Sequence, residues 1–416
     1  MSKYLSRRQA LKLSAASLAA LGSAQPATQA EEPSFAVSRG TSPADESMEV
    51  ERLHHSINGL LESSGLPGLS IAVIDDGRLA GFQGFGYANL RTRQPITDTT
   101  IFQAASLTKP TFAYVVLKLC EEGRLRLDAP LTQTYLPDLV PSVSTGADRI
   151  TARTVLAHMS GLPITHFPKW PETMDFQPGE RFGYSGAAYI YLQLVIEQIL
   201  GMPLLKVMDE YVIRPLGLTD SAYVWRSEYE SDAAIAHDFD NTPVREAERS
   251  RPEKACSAAS LHTTAKDYAR FLVELFFRKD GKLPLDYTLK RMMLSPQIRL
   301  TDNLAWGLGW GLHLSEDGDR FWHWGDSRGY MSYVVGSLAK RRGVVILTNG
   351  RNGLRVAEQV AAKVMGPPEA ETFGWIYNGF YAQNDAPLPL LPTDGGASPP
   401  VHAVRGHKTA KSTPKS

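Results

Sequence analysis

Cysteine is nearly absent from the chain, and this absence limits how the fold can be held together. The sequence of 416 residues contains two cysteines, Cys120 and Cys256, so a disulfide framework is excluded and the protein must depend on its hydrophobic core. Cys120 falls on the apolar face of a predicted helix, which is typical of a small buried hydrophobic residue. No His-Glu-x-x-His or Cys-x-x-Cys motif is present, and we therefore expect neither a metal ion nor a cofactor.

An excess of charge and a long apolar run are missing as well. The 44 basic and 44 acidic residues cancel, which argues against nucleic acid as the main partner. Outside the N-terminus, no apolar run is long enough for a stable membrane span. The composition therefore favours a globular protein that acts on small molecules.

The N-terminal 30 residues have the pattern of an export signal. They contain basic residues but no acid, and the pair Arg7 and Arg8 precedes an Ala- and Ser-rich apolar stretch, Leu13–Leu21. The paired arginines indicate twin-arginine export to the periplasm or out of a bacterial cell, with cleavage after Ala24 or Ala30. A disordered basic tail is the alternative.

The rest of the chain divides where the hydrophobic pattern changes. A polar linker, 31–45, is followed by an apolar stripe at helical spacing that ends at Gly65. Two strand pairs with hairpin turns are predicted far apart in the chain, at about 69–87 and 331–348. The region between them, about 124–300, is mostly helical and is interrupted by Pro and Gly.

These segments predict an α/β fold of the α+β type. Within a single domain, 46–366, a mixed and mainly antiparallel sheet would be assembled from both chain ends and flanked by helices, with the helical region inserted into it. A C-terminal extension, 367–383, follows. The last segment, 384–416, is rich in proline and late lysines and is predicted to be a disordered tail.

The stretch Ser106–Lys109 is the strongest candidate in the sequence for a catalytic site. A helical apolar pattern follows it, and Pro110 fits the first turn, where a missing N–H costs least. Ser106 would therefore lie at the helix start, where the helix dipole favours a developing alkoxide. Lys109 lies three residues later on the same face, and its free amine could take the serine proton if burial lowers its pKa.

Other serines fit nucleophile motifs but lack a suitable context. Ser337–Lys340 repeats the Ser-x-x-Lys spacing at the end of a predicted strand, and Ser412–Lys415 repeats it in the predicted tail. Gly325–Gly329 matches the Gly-x-Ser-x-Gly elbow of α/β-hydrolases, but that elbow requires a following helix. A β-branched and aromatic segment follows instead. Gly183–Ala187 is a looser match, and both elbows are rejected.

Two further segments are candidates for the same site. Tyr184 precedes a predicted helix, 187–200, and could relay protons if a nearby lysine lowers its pKa, although a packing tyrosine is the alternative. His323, Trp324 and Gly325 end a strand-like run. A lone histidine beside aromatic residues is more often structural, which is the alternative for His323. Gly325, however, would let backbone N–H groups approach a ligand, as an oxyanion hole requires. A tryptophan cluster nearby is either core or an apolar cleft for a bulky acyl or leaving group. It comprises Trp306, Trp310, Trp322 and Trp324.

Taken together and in this order, the motifs resemble those of the serine β-lactamase-like hydrolases. The most similar members are class C β-lactamases, family VIII carboxylesterases and D-amino-acid peptidases, and the resemblance spans about residues 50–366. Several other segments look like that family's framework: Thr100–Phe102, Leu156–Pro163, Arg214–Leu218, Ser257–Thr264 and Leu347–Gly350.

The resemblance implies an acyl-enzyme mechanism and gives each candidate a role. Ser106 would be the nucleophile, Lys109 its base and Tyr184 the tyrosine that relays protons. The segment His323–Gly325 would match the third motif, on the strand that lines the cleft. The backbone N–H groups of Ser106 and Asp326 would hold the oxyanion.

Two departures from the β-lactamase pattern favour a neutral ester as the substrate. Gly186 stands where β-lactamases usually carry Asn, and His323 stands where they carry Lys, so two polar contacts for an anionic substrate are lost or weakened. Protonation of His323 toward pH 6 would restore part of the charge, and Arg328 could contact a carboxylate. The resemblance thus implies an esterase, with a β-lactamase or D-amino-acid peptidase as the alternative. A sensor protein that is acylated at Ser106 but deacylates slowly is an alternative of another class.

Overall fold

The computed structural model describes residues 43–135, 146–164, 174–244, 251–366 and 369–381. All of these residues belong to one compact unit. The predicted export signal, most of the predicted linker, the predicted tail and Ser412–Lys415 lie outside the described residues and remain predictions.

A nine-stranded sheet forms the centre of the fold. The strands in chain order are β1 (Gly68–Asp75), β2 (Arg78–Asn89), β3 (Gln94–Pro95), β4 (Phe102–Gln103), β5 (His262–Thr263), β6 (Ile298–Arg299), β7 (Leu304–Trp306), β8 (Gly311–His313), β9 (Arg320–Ser327), β10 (Tyr330–Ser337) and β11 (Arg342–Thr348). The sheet order is β3-β2-β1-β11-β10-β9-β8-β7-β6, and β4 pairs separately with β5. Each of these pairings is antiparallel, so the predicted fold class is confirmed.

The first and the last strand in chain order, β1 and β11, pair with each other inside this sheet. Leu69 lies opposite Thr348, and the register continues to Ile74 opposite Gly343. The hairpin between β1 and β2 turns at Asp76 and Gly77, which both have positive φ, 44° and 68°. A two-residue turn of this type matches the twist of the flanking strands, which explains why the Asp-Gly pair marks it in the sequence.

Helices cover both faces of the sheet. In chain order they are α1 (Pro43–Ser64), α2 (Thr108–Glu121), α3 (Ala152–Leu156), α4 (Gly186–Leu200), α5 (Leu204–Met208), α6 (Arg214–Leu216), α7 (Ala265–Leu272), α8 (Tyr287–Met293), α9 (Gly353–Met365) and α10 (Glu369–Trp375). Single π-helical turns continue three of them, at Asp209–Ile213, Val273–Phe277 and Ile376–Tyr381.

Alternating side chains of the central strands divide the core in two. In β1, Leu69, Ile71 and Val73 join a cluster with residues of α1, α9 and α10. Ala72 and Ile74 point to the other face and join a larger cluster with residues of α2, α4 and α7. Successive side chains of a strand alternate between faces, so one buried strand supplies both cores.

The first helix begins earlier than the sequence pattern predicts. Helix α1 starts at Pro43, inside the predicted linker, because proline is well suited to a first helical turn. In the described ranges no single helix has the length and hydropathy of a membrane span. Helix α4 meets that test only together with the bent segment Leu204–Leu216, at 82° to it. Both cysteines are free and half-buried.

Candidate active site

Ser106 lies in a tight turn directly before helix α2. The 3₁₀ turn Ala105–Leu107 requires Ala105 at φ 50°, a left-handed conformation that is unfavourable for a residue with a Cβ atom and that often occurs at functional sites. The Leu107 N–H donates to the Ala104 carbonyl at 3.1 Å. Ser106 itself is only half-buried, so a ligand can reach its hydroxyl.

Segments distant in sequence hold this turn in place. The Thr108 hydroxyl donates to the Ala105 carbonyl at 2.6 Å and accepts from the Leu261 N–H at 3.0 Å. The Ala104 N–H donates to the Leu261 carbonyl at 2.8 Å, and the Ser332 hydroxyl donates to the Ala104 carbonyl at 3.0 Å. All five residues are buried. Because buried polar groups are costly to leave unpaired, these hydrogen bonds fix the turn strongly.

Lys109 is buried beside the Ser106 hydroxyl. Its Nζ lies 2.9 Å from Ser106 Oγ and donates to the Ala258 carbonyl at 2.7 Å. The side chain is 2% exposed, and this burial lowers its pKa to about 7. A substantial fraction of the amine is therefore neutral near physiological pH, as a general base for Ser106 requires.

Tyr184 completes a group of three reactive side chains. The Lys109 Nζ lies 4.9 Å from the centre of the Tyr184 ring. Burial raises the pKa of the phenol, and the neighbouring Ser106 hydroxyl opposes this only in part, although the two hydroxyls do not form a hydrogen bond of good geometry. The prediction that a lysine lowers the pKa of Tyr184 is wrong, because desolvation by burial is the larger effect and raises this pKa. Tyr184 thus remains protonated and can act as a proton donor.

A histidine without a predicted role supports Tyr184 from behind. The ring of His158 stacks on that of Tyr184, with 4.1 Å between centroids and an interplanar angle of 29°. His158 is fully buried, and its Nδ1 accepts a hydrogen bond from the Ser185 N–H at 3.1 Å. Desolvation and the charge of Lys109 hold the pKa of His158 well below its usual range. The ring is therefore a neutral platform that fixes the orientation of the tyrosine.

The predicted third motif lies on β9, directly against the turn of Ser106. A Cβ atom at Gly325 would meet Ser332 Oγ at 2.3 Å and the Ala104 carbonyl oxygen at 2.4 Å. Such distances are shorter than a carbon–oxygen contact allows, so only glycine lets this strand pack against the turn. The next residue, Asp326, is paired in register with Met331 of β10. That pairing fixes the backbone of the strand whose N–H group is the expected oxyanion donor.

His323 is on the same strand but does not behave as the sequence predicts. It is fully buried, and its Nδ1 lies 2.7 Å from the Trp324 carbonyl oxygen, an acceptor, so Nδ1 carries the proton. Burial and then the charge of Lys109 lower the pKa of His323 to about 3. The expectation that His323 gains a positive charge toward pH 6 is therefore wrong.

The tryptophans of the same region belong to the core. The four side chains Trp306, Trp310, Trp322 and Trp324 are at most 2% exposed, so the core interpretation is confirmed and they do not themselves line an open cleft. Trp324 still packs against the site, because its ring centroid lies 5.2 Å from that of Tyr184.

Asp326 and Arg328 have different surroundings. Asp326 is at the end of β9, and its Oδ2 accepts a hydrogen bond from the Tyr381 hydroxyl at 2.8 Å. Burial raises the pKa of Asp326, and the hydrogen bond from Tyr381 and the charge of Arg351 partly oppose this. Arg328 lies in the exposed turn between β9 and β10 with φ 47°. Its contact with a substrate carboxylate stays a prediction.

The other candidate serines have structural positions in turns, at a helix cap or at a strand end. The Ser327 hydroxyl donates to Gln103 Oε1 at 3.0 Å, in a turn that leads to a strand and not to a helix. Ser185 caps α4, since its Oγ accepts from the Ala188 N–H at 2.9 Å. Ser337 ends β10 and Lys340 is exposed. In the part of the chain that the structure describes, no group of three or more His, Cys, Asp or Glu side chains could hold a metal ion.

Known proteins resemble a large part of this sequence. A family model described as Beta-lactamase matches residues 53–364. Protein flp of Staphylococcus aureus (strain NCTC 8325 / PS 47) is 24% identical over 311 residues, which cover 70% of this chain and 61% of that protein. Esterase EstB of Burkholderia gladioli is 30% identical over 223 residues, which cover 47% of this chain and 56% of the esterase. The chain thus spans less than two thirds of the length of both relatives.

Solved structures share the fold at lower sequence identity. A class C beta-lactamase superposes with a TM-score of 0.67 at 18% identity, and the match covers 78% of this chain and 98% of that enzyme. This likeness concerns the fold alone.

Replacing Ser106 tests whether this site is the reactive one. The Ser106→Ala variant should lose about a thousandfold or more of its p-nitrophenyl acetate hydrolysis, because the group activated by Lys109 is removed. Ser327→Ala is the matched control and should retain most of the activity. A serine-directed phosphonate followed by mass spectrometry should label the Ser106 peptide. Labelling of the Ser327 peptide would contradict the assignment.

Proposed function

The chain belongs to the beta-lactamase family, and we propose that within this family of hydrolases it is an esterase that cleaves neutral carboxylic esters through an acyl-enzyme on Ser106. The observation that carries the proposal is the 2.9 Å contact between the Lys109 amine and Ser106 Oγ, together with the lowered pKa of that amine, about 7. A serine hydroxyl is a poor nucleophile until a base accepts its proton. Here the base is in place before the substrate binds.

The geometry supports an acylation step in which protons and bonds balance. Ser106 Oγ attacks the ester carbonyl carbon while its proton passes to the neutral Lys109 amine. The backbone N–H groups of Ser106 and Asp326 stabilise the tetrahedral oxyanion. Tyr184 gives its proton to the alcohol oxygen as the carbon–oxygen bond breaks, and the protonated Lys109 restores the phenol proton. The alcohol leaves, and the acyl group stays on Ser106.

Deacylation reverses the roles of the same groups. Water attacks the acyl carbon and passes a proton to Lys109, and Ser106 Oγ recovers a proton from Lys109 as its bond to the acyl carbon breaks. The carboxylic acid is released, and the starting enzyme is regenerated.

The preference for a neutral ester is supported by the electrostatics of two positions. His323 is neutral over the physiological range, since its pKa is about 3, so it offers no fixed cation to a substrate carboxylate. Gly186 offers no side-chain amide, and its place at the start of α4 is tight, because a Cβ atom there would meet the Ile164 carbonyl oxygen at 2.9 Å. The relative EstB of Burkholderia gladioli is named an esterase, which is consistent with this preference.

Ester and β-lactam hydrolysis should therefore differ strongly. Loss of a hydrogen bond to a charged group costs roughly 1.5–3 kcal/mol, and the loss of two predicts at least about a hundredfold difference in kcat/KM. Short-chain p-nitrophenyl esters should exceed nitrocefin by that factor near neutral pH. Because His323 does not titrate there, the ratio should stay constant down to about pH 6.

Two outcomes of this comparison would contradict the proposal. If nitrocefin is the better substrate, another cation such as Arg328 replaces the missing lysine and the protein acts on β-lactams. If one equivalent of p-nitrophenol is released in a burst without further turnover, the protein is a slowly deacylating sensor. Steady turnover of esters after the burst is the expected result.

We further propose that the protein is exported by the twin-arginine route. The supporting observation is the sequence of the first 30 residues, with Arg7 and Arg8 before an apolar stretch. Replacing both arginines with lysine keeps the charge but removes the paired-arginine motif that the export receptor recognises. The double variant should accumulate as precursor in the cytoplasm, whereas unchanged export would indicate the general secretion route.

A further inference from the structure

A pocket adjoins the candidate active site at Tyr184. Its volume is about 390 Å³, within the range typical of sites for small ligands. In the described part of the chain its walls include Phe182, Tyr184, Trp375 and Phe380. All four aromatic side chains are half-buried, so each has a face or an edge available to a ligand.

The C-terminal segment supplies one wall of this pocket. The Phe380 ring lies 5.2 Å from that of Tyr184 at 73°, and 4.9 Å from that of Trp324 at 74°. The Trp375 ring lies 5.7 Å from that of Phe182, also at 73°. Edge-to-face contacts of this kind are the arrangement that aromatic rings prefer, and a flat aromatic ligand can extend them.

Two local features keep the C-terminal wall in position. The buried Tyr381 hydroxyl donates to Oδ2 of the half-buried Asp326 at 2.8 Å. A Cβ atom at Gly379 would meet the indole ring of Trp375 at 2.9 Å, so glycine leaves room for that ring against the backbone. The segment is thus tied to β9, the strand beside Ser106.

Charged side chains also line this pocket. Arg181, Arg299 and Asp175 line the opening and are exposed. They carry both signs, and water screens them. Screened charges bind a ligand only weakly, so the aromatic wall is the part of this pocket that can bury an apolar group.

We propose that Trp375 and Phe380 are specificity-determining residues, which form with Phe182 and Tyr184 a subsite for an aryl group of the ester. The inference rests on the proposed esterase function. Tyr184 gives its proton to the leaving alcohol oxygen, so the group attached to that oxygen emerges beside the Tyr184 ring. The aryl group therefore belongs to the alcohol part of the ester, as in a benzyl ester. Tyr381 is a positioning residue that holds the wall through Asp326.

A pair of esters isolates this subsite. Benzyl acetate and ethyl acetate share their acyl group and release alcohols of similar acidity, so a difference in kcat/KM reports the alcohol subsite. The unmodified protein should prefer benzyl acetate by about tenfold or more, the usual effect of burying several additional apolar carbons. Phe380→Ala and Trp375→Ala should each lower this ratio by about fivefold or more, and Tyr381→Phe should lower it less.

The matched control is Phe276→Ala. Phe276 is a half-buried phenylalanine on the π turn after α7, packed on Trp310 and Phe321, and it does not line the pocket beside Tyr184 in the described part of the chain. It should leave the benzyl-to-ethyl ratio unchanged, with thermal unfolding used to compare the stability of all variants. Equal losses for both esters in Phe380→Ala would overturn the proposal, as would a preference for ethyl phenylacetate, which carries the aryl group on the acyl side.

Binding of an aryl alcohol to an inactive variant tests the aryl subsite independently of the esterase activity. Ser106→Ala cannot form an acyl-enzyme, and saturation-transfer NMR with benzyl alcohol on that variant measures the subsite alone. Binding that is lost in the Ser106→Ala/Phe380→Ala double variant supports the subsite even if esters prove poor substrates. Undetectable binding to Ser106→Ala, with ester turnover by the unmodified protein intact, would overturn the subsite and leave the esterase function standing.

Discussion

Burial of the Lys109 amine is the constraint on which the chemistry of this protein depends. Displacement of its pKa from 10.5 to about 7 corresponds to on the order of 5 kcal/mol of preference for the neutral form. The fold bears this cost below about pH 7, where the buried amine is charged. The cost disappears as the pH rises toward 10.5, because the unfolded chain then also loses the proton. In the proposed mechanism, the same desolvation that weakens the fold also makes Lys109 a base.

The groups around the Lys109 amine hold it in position and keep water away from it. One hydrogen bond leads from Nζ to the Ala258 carbonyl and one contact leads to Ser106, while the rings of Tyr184 and Tyr189 lie 4.9 and 5.6 Å away. These rings attract a cation only modestly, and they exclude water. His158 and His323 are neutral for the same reason, so neither adds a positive charge beside Lys109. This supports the proposed role of Lys109 in proton transfer.

Residue patterns over a few positions of the sequence correctly predicted the turns and helices that adjacent residues determine. The Asp-Gly turn after β1, the helix after Ser106 and the helix after Tyr184 all formed where periodicity and turn chemistry placed them. The sign of the Tyr184 pKa shift, the neutrality of His323 and the role of His158 depend on burial by distant segments, which no local pattern reports. Lys109 and Ala258 are 149 positions apart. The extension 367–383 had an unspecified role in the sequence, yet residues of α10 and the following π turn pack into the core and line the pocket beside Tyr184.

If a neutral Lys109 amine activates Ser106, the rate of acylation must follow the titration of that amine. The burst rate of p-nitrophenol release should be measured by stopped flow from about pH 5 to about pH 9, for the unmodified protein and for Lys109→Met. We expect a rate that rises about tenfold per pH unit at low pH and levels near pH 7, the pKa of Lys109, and a loss of the burst in the variant. A rate that continues to rise through pH 9, or a burst that survives in Lys109→Met, would contradict it.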